Sequence, residues 1–323
     1  MSHRTVAVVV LNWNGWADSL ACLTSLGPSV EQGLARIIVV DNASTDGSSL
    51  QIREWFQSGG RDFLELHETE LLGAALEPNT APPYVFIQAH RNGGYAAGNN
   101  LGIQFALQQS ESRYVFVLNN DATVEADSIA RLVSWADRDP ATGVVGSTLI
   151  EDSGQLRIAG GNNFSLLLTT SKPAIAVDGS RDSHMDYVAG AAQFIRTAAL
   201  RQVGLLSEDY FLYFEELDLT RRITKAGFTI TWCPESIVHH HVGRTTGSRR
   251  RSNGYKSSLA EYHSNLSCLI FMRKFHPRML WLAAPARFLF KVLHDLINLQ
   301  PALLVPLVRA YRDYLMQTKR KHA

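Results

Sequence analysis

Three short stretches hold the residues that could do chemistry. Asn119-Asn120-Asp121 ends the apolar run Tyr114–Leu118 with two amides and a carboxylate. Such a cluster is either an ordinary polar turn or a seat for something charged. Phe214-Glu-Glu-Leu-Asp218 gathers Glu215, Glu216 and Asp218 at the head of a helix-like segment. Carboxylates there interact favourably with the helix dipole. They also repel one another, which raises a pKa toward the range of a general base. Val238-His-His-His-Val242 presents three imidazoles on a strand-like run. On a strand His239 and His241 share one face and His240 takes the other. Carboxylate and imidazole are both residue types that can ligate a divalent cation. No Ser–His–Asp arrangement suggests a covalent nucleophile.

These groups need a scaffold. Thr5–Leu11, Arg36–Asp41, Tyr84–Ala89 and Tyr114–Leu118 are short, continuous apolar runs, the pattern of strands buried on both faces. Helix-like stretches alternate with them, at Ala17–Leu26, Ser48–Ser58 and Asn99–Gln108. This alternation predicts a doubly wound α/β sheet, on which ligands bind beyond the carboxyl ends of the strands. Those ends carry Asn12 and Asn14, Asp41 and Asn42, Arg91 and Asn92, and Asn119 to Asp121. Their convergence predicts one binding crevice. The stretch Asn92–Gly102 is glycine-rich and suits close backbone approach to a ligand before a helix. The first strand ends in Asn-Trp-Asn-Gly-Trp without GxGxxG, which argues against a dinucleotide-dependent oxidoreductase. Beyond residue 140 the pattern is irregular. Then Gly190–Gly204 reads as a strand running into a short helix, Asp209–Gly227 as a helix closing at Gly227, and Phe228–Gly243 as a strand.

The chain has 323 residues, 46% of them hydrophobic, enough for a sizeable core. Cys22, Cys233 and Cys268 form no CxxC pair, so neither a disulfide framework nor a thiolate zinc site is expected, and a reducing cytoplasmic compartment fits. The run Val6–Leu11 is short for a secretory signal. Residues 1–243 hold 16 Lys and Arg against 27 Asp and Glu, a net of −11, whereas residues 244–323 hold 15 against 3, a net of +12. A basic tail on an acidic body suits an anionic surface. Residues 279–308 contain no uncharged apolar run of about 18, so no transmembrane helix is expected. Arg287, Lys291, His294, Asp295 and Asn298 recur at helical spacing as a narrow polar stripe on an otherwise apolar helix. That helix is expected to pack on the catalytic body or on a second subunit. The basic residues near it, ending in Lys319-Arg320-Lys321, make an anionic membrane the alternative. Its aromatics read as helix core, so no nucleic acid is expected.

Seven segments, in order over residues 5–247, resemble family 2 glycosyltransferases of GT-A fold, especially the bacterial rhamnosyltransferase-like branch. They are VVVLNWNGW, IIVVDNASTDGS, RNGGYAAGNNLGI, VFVLNNDATV, GAAQFIRTAAL, YFEELDLTRRI and IVHHHVGRTTG. EYHSNLSCLIF, from Glu261, resembles the segment that follows the catalytic domain in that branch. The resemblance implies a GT-A domain over residues 1–247, a helical extension over 248–323, and inverting sugar transfer from a nucleotide diphosphate sugar. It places Asp41 at the base or ribose, and Asn12, Asn14, Asn92, Asn119 and Asn120 around the nucleotide. Asn119 replaces the first acid of the family's DXD motif, leaving Asp121 as the metal carboxylate. The register points to His240 as its partner, and an imidazole favours Mn²⁺ over Mg²⁺. Glu216, an Asp in many relatives, is implied as the base. Glu215 and Asp218 are expected to position it, bonding Arg221 or Arg222. Arg244 opens a basic stretch expected to close over the diphosphate. The branch implies dTDP-rhamnose first and UDP-sugars next, with a glycan or lipid-linked acceptor. It suggests a chain peripheral on the inner face of the plasma membrane, or a homodimer through its C-terminal helices. The competing reading is an inactive GT-A-like scaffold, for which Asn119 is the argument.

Overall fold

The computed structural model describes residues 4–73, 81–151, 157–175, 184–241 and 257–320. Its first half builds a parallel sheet from β1 (Val6–Asn12), β2 (Ala35–Asp41), β3 (Phe63–His67), β4 (Tyr84–Gln88) and β5 (Tyr114–Asn119). The crossovers are α1 (Trp16–Ser25) with α2 (Gly27–Glu31), then α3 (Ser48–Ser58), α4 (Glu68–Gly73) and α5 (Gly94–Gln108). The strands lie in the order β5-β1-β2-β4-β3, all parallel. Four of them are the apolar runs of the sequence. The fifth, β3, has no counterpart among the expected strands. It is the sheet edge, and only Leu66 of its five residues is buried, so its sequence carries no continuous apolar run.

The second half is mixed. It comprises β6 (Ala122–Val124), α6 (Ser128–Ala136), β7 (Thr142–Glu151), β8 (Arg157–Ser165), β9 (Thr170–Ile175), β10 (Tyr187–Val188), β11 (Ala192–Arg196), α7 (Thr197–Val203), α8 (Glu215–Lys225) and β12 (Thr229–His240). Strand β11 inserts antiparallel between β5 and β7, joining the two halves into one sheet. Strand β12 runs parallel to β7 and antiparallel to β6, which sets His240 opposite Ala122. Helix α5 starts at Gly94, earlier than the expected Asn99, because its glycines let it lie close on the sheet. A Cβ on Gly98 would meet Leu11 Cδ1 at 2.4 Å, and one on Gly102 would meet Val9 Cγ1 at 2.5 Å. All three cysteines are free and buried.

Three helices complete the chain, α9 (Ser258–Phe275), α10 (Pro277–Ile297) and α11 (Leu304–Arg320). Two hydrophobic clusters cover the faces of the sheet. A third is shared across residue 247, joining Phe164, Tyr187, Tyr210 and Leu217 to Leu269, Phe271, Ala310 and Tyr314. Arg287, Lys291 and Asp295 of the polar stripe of α10 face inward, whereas His294 and Asn298 are exposed. Arg287 Nε donates to Asn265 Oδ1 at 2.8 Å, and Lys291 Nζ lies 2.9 Å from Glu261 Oε1. Among the described residues no helix is long and apolar enough to cross a membrane.

Phe271 is fully buried at the centre of the shared cluster, against Phe164 and Phe214. Phe271→Ala should cost about 3–5 kcal/mol. Calorimetry should show one unfolding transition at a lowered Tm. Two transitions, with only one of them shifted, would mean that the helical extension folds independently.

Candidate active site

Parallel register sets Asn12 beside Asp41 and Leu11 beside Asn119, so the polar strand ends collect on one edge of the sheet. A cavity of about 390 Å³ opens there. Of the residues expected from sequence, Asn92, Asn119, Asn120, Asp121, Glu215, Glu216 and His240 line it. Asn12, Asn14, Asp41 and Asp218 do not.

The first three of those tie the loops together. Asn12 Nδ2 donates to Asp41 Oδ1 at 2.7 Å, and Asn12 Oδ1 accepts from Ser19 Oγ at 2.7 Å. Ser44 Oγ donates to Asp41 Oδ1 at 2.5 Å, and Asn14 Oδ1 accepts from the Thr45 amide at 2.7 Å. Asn42, next to Asp41, reaches the cavity instead and donates to Asn92 Oδ1 at 2.9 Å. Asn120 Nδ2 donates to Ser19 Oγ at 3.0 Å, extending the same network.

Successive residues of β12 turn to opposite sides of the strand. His240 Nε2 lies 3.3 Å from Asp121 Oδ1 and 3.5 Å from Asn119 Nδ2. His239 faces Glu125 at 3.5 Å on the other side. Asp121 is buried, and its Oδ1 has no hydrogen-bond partner. Two ligands at adjacent corners of an octahedron with bonds of about 2.1 Å lie about 3 Å apart, so this pair fits a shared cation. Among the described residues no group of three or more His, Cys, Asp or Glu is placed to hold a metal. The two would therefore form a partial set, completed by ligand oxygens.

The carboxylates reach the cavity through a strained turn. Tyr213 and Phe214 have φ of 68° and 75°, left-handed values that cost about 1–3 kcal/mol each in a non-glycine residue. The surroundings hold them. Ser267 Oγ of α9 donates to Leu212 O at 2.8 Å, Phe214 packs edge-on against Phe164, and the Tyr95 amide donates to Phe211 O at 2.8 Å. Gly94, at φ 86°, leaves room for that carbonyl, since a Cβ there would sit 2.3 Å from it. Beyond the turn Glu215 is buried, and the Oε2 atoms of both Glu215 and Glu216 lack partners. Burial, reinforced by the charge of Glu216, holds the Glu215 carboxyl well above its usual range. Burial pushes Glu216 up to about 7. Burial thus raises both carboxyls of the pair.

Asp218 is buried among partners and does not face the cavity. It accepts from Tyr210 Oη at 3.0 Å and Arg222 Nε at 2.6 Å, and lies 2.6 Å from Lys274 Nζ of α9. The ion-pair partner is thus Arg222, of the two arginines expected, and Lys274 adds a cation from outside that helix. Arg244 lies outside the described residues. The cavity is also lined by Trp13, Tyr95, Glu151 and Asn162, none of them singled out by the sequence reading. Trp13 stands between two asparagines of interest. Glu151 becomes visible only through the β7–β12 register, which pairs it with His240.

A mixed sheet with a parallel nucleotide-type half, a carboxylate–histidine pair at the central strand end and carboxylates at a helix head opposite define a GT-A glycosyltransferase. The model of glycosyl transferase family 2 matches residues 7–204, and the chain belongs to that family. An N-acetylglucosaminyl-diphospho-decaprenol L-rhamnosyltransferase of Mycobacterium tuberculosis (strain H37Rv) is 27% identical over 282 residues, 82% of each chain. Among solved structures, S. aureus TarS 1-349 in complex with UDP-GlcNAc aligns with a TM-score of 0.53 at 16% identity, over 96% of this chain and 80% of that one. GalNAc-T7 with UDP, GalNAc and Mn²⁺ aligns with a TM-score of 0.57 at 14% identity, over 82% of this chain and 50% of that one.

The carboxyl pair can be titrated directly by ¹³C NMR of labelled glutamate. One group should titrate near pH 7 in the wild type and be missing in Glu216→Gln. Glu215→Gln should still leave a group titrating above the ordinary carboxylate range, because burial raises both. A wild-type spectrum with every glutamate titrating in the ordinary carboxylate range would refute this arrangement.

Proposed function

We propose that this glycosyltransferase moves a hexose, rhamnose first, from a nucleotide diphosphate sugar to a hydroxyl of a lipid-linked glycan acceptor, with inversion. One observation carries the reading. A single cavity is lined by the Asp121–His240 pair and, separately, by Glu216 with its raised pKa. Such a site can hold a diphosphate at one end and deprotonate an acceptor at the other. The sugar identity and the lipid-linked acceptor are supported by the name of the M. tuberculosis relative. dTDP is the first choice of nucleotide and UDP the second.

In this reading Asn42, Asn92, Asn119 and Asn120 line the donor pocket, with Trp13 as an apolar surface. Asp41, Asn12 and Asn14 hold the loops that carry them. Glu216 takes the proton of the acceptor hydroxyl. The acceptor oxygen bonds to the anomeric carbon from the face opposite the diphosphate. The bond from that carbon to the phosphate oxygen breaks, and its electron pair leaves with the nucleoside diphosphate. Glu215 and the braced turn position Glu216. Asp121 and His240 hold a divalent cation, Mn²⁺ before Mg²⁺, whose chemistry when bound is to neutralise the departing diphosphate. Mn²⁺ in the GalNAc-T7 complex supports that choice. The enzyme works peripherally on the inner face of the plasma membrane.

The first test is thermal stabilisation by dTDP, UDP, GDP and NAD, each with and without Mn²⁺. A nucleotide at about 100 times its Kd adds about 2.7 kcal/mol. One diphosphate should stabilise only with Mn²⁺, and Asp121→Ala should abolish the effect. Stabilisation by NAD alone, or by no diphosphate, would refute the reading.

With the donor known, kcat/KM should rise with pH through about 7, as Glu216 loses its proton. Glu216→Gln should lower kcat at least about 100-fold, the usual range of a general base. Unchanged turnover in this variant would remove Glu216 from the chemistry.

A further inference from the structure

Helix α10 is amphipathic the wrong way round for a helix of a water-soluble body. Arg287, Lys291 and Asp295 face inward, and Asp295 is fully buried. Trp281, Leu282, Leu289, Phe290, Leu293 and Ile297 face outward, with Trp281 84% and Ile297 77% exposed. At about 100° per residue these positions fall on one broad side of the helix, a stripe opposite Arg287, Lys291 and Asp295. Surface helices in water bury such a stripe. Here the body offers Glu261 and Asn265 instead, and the ion pair and hydrogen bond to them fix the rotation of α10 with its apolar face outward.

A second element joins the stripe. The turn between β8 and β9 exposes Leu167 and Leu168, and Arg287 Nη1 donates to the Thr169 carbonyl of that same turn at 2.5 Å. Two segments more than 100 residues apart are thus tied together, and each exposes large apolar side chains.

We propose that this surface is where the chain lies on an anionic lipid bilayer. Charge selects the lipid over a second copy of the chain. Residues 244–323 carry 15 Lys and Arg against 3 Asp and Glu. Arg278 is exposed at the start of the stripe, and Arg309 and Arg312 are exposed on α11 beside Val308 and Leu315. Two such surfaces face to face repel, whereas an anionic bilayer attracts both. Trp281 suits the headgroup level, and arginines can reach that level past apolar neighbours.

The position serves the site. Leu259 lines the cavity, and Glu261, on the same turn of α9, pairs with Lys291 in the C-terminal half of α10. The cavity and the inner side of the helix that carries the stripe therefore both reach this end of α9. A lipid-linked acceptor could enter while its chain stays in the membrane. This last point rests on the proposed function; the docking surface does not.

The test is flotation of the purified full chain with vesicles of phosphatidylcholine, with and without phosphatidylglycerol. Wild type should float with the anionic vesicles and far less with the neutral ones. Trp281→Glu combined with Phe290→Glu should weaken binding about tenfold or more. Leu167→Ser combined with Leu168→Ser should weaken it in the same direction. Both variants should keep the wild-type Tm and the wild-type thermal response to nucleotide. Undiminished flotation of either variant, or no flotation of wild type, would overturn the proposal. So would a wild-type dimer in ultracentrifugation that the Trp281 and Phe290 variant turns into a monomer, because a second copy would then cover the stripe. Flotation lost in the variants while no donor or acceptor supports transfer would keep the docking surface and refute the transferase reading.

Discussion

Two adjacent carboxyl groups withdrawn from water at the head of α8 set the terms for much of the surrounding structure. A carboxylate leaves water only at high cost, and two side by side cost more. Burial accordingly holds both carboxyls above the ordinary carboxylate range, Glu216 at about 7. It must also aim both side chains, and the geometry that does so forces Tyr213 and Phe214 into left-handed backbone. Strain of that kind persists only where the surroundings over-determine it. Those surroundings come from far along the chain. Gly94 and Tyr95 of α5 hold Phe211, Phe164 of β8 packs on Phe214, and Ser267 and Phe271 of α9 close the other side.

The opposite wall of the cavity obeys a different logic. There the polar residues come in two layers. An inner layer of Asn42, Asn92, Asn119 and Asn120 faces the ligand space, and behind it Asn12, Asp41, Ser19 and Ser44 bond one another. Side-chain amides suit both layers, since each offers donors and an acceptor without a charge to neutralise. Two carboxylates stand among them: Asp41 accepts from Asn12 and Ser44, whereas one buried oxygen of Asp121 accepts no hydrogen bond and lies 3.3 Å from His240 Nε2. A charge left in that state belongs beside a positive group, and His240 and a cation are what the site offers or admits.

Much of this is legible in the sequence. The parallel strands are visible because both faces are buried and the runs are continuous. Asp121 is visible as a carboxylate just past the end of a core strand; alternation sets His240 apart from His239 and His241, but the family resemblance is what singles it out. The edge strand β3 is hidden, because a half-exposed strand of five residues has no such run. The split between lining and supporting asparagines is hidden too. Asn12 and Asn119 look alike at the ends of adjacent strands, and only the partners that the fold brings near distinguish them. In α10 the periodicity reveals two faces but not which one turns inward. That depends on Glu261 and Asn265, polar residues of α9 that are fully buried once the helices pack.

The family match ends at residue 204, before both carboxyls and before β12. The C-terminal remainder is bound to the catalytic body through α9, whose Ser267 and Lys274 hold the approach to α8 and α8 itself. The C-terminal helices are thus not an exchangeable cassette. A chimera that took them from a relative would have to import a matching outer face of α8 and the Phe211–Phe214 turn as well. Changes to the outward-facing helices that alter α9 would therefore be felt beside the carboxyl pair at the head of α8.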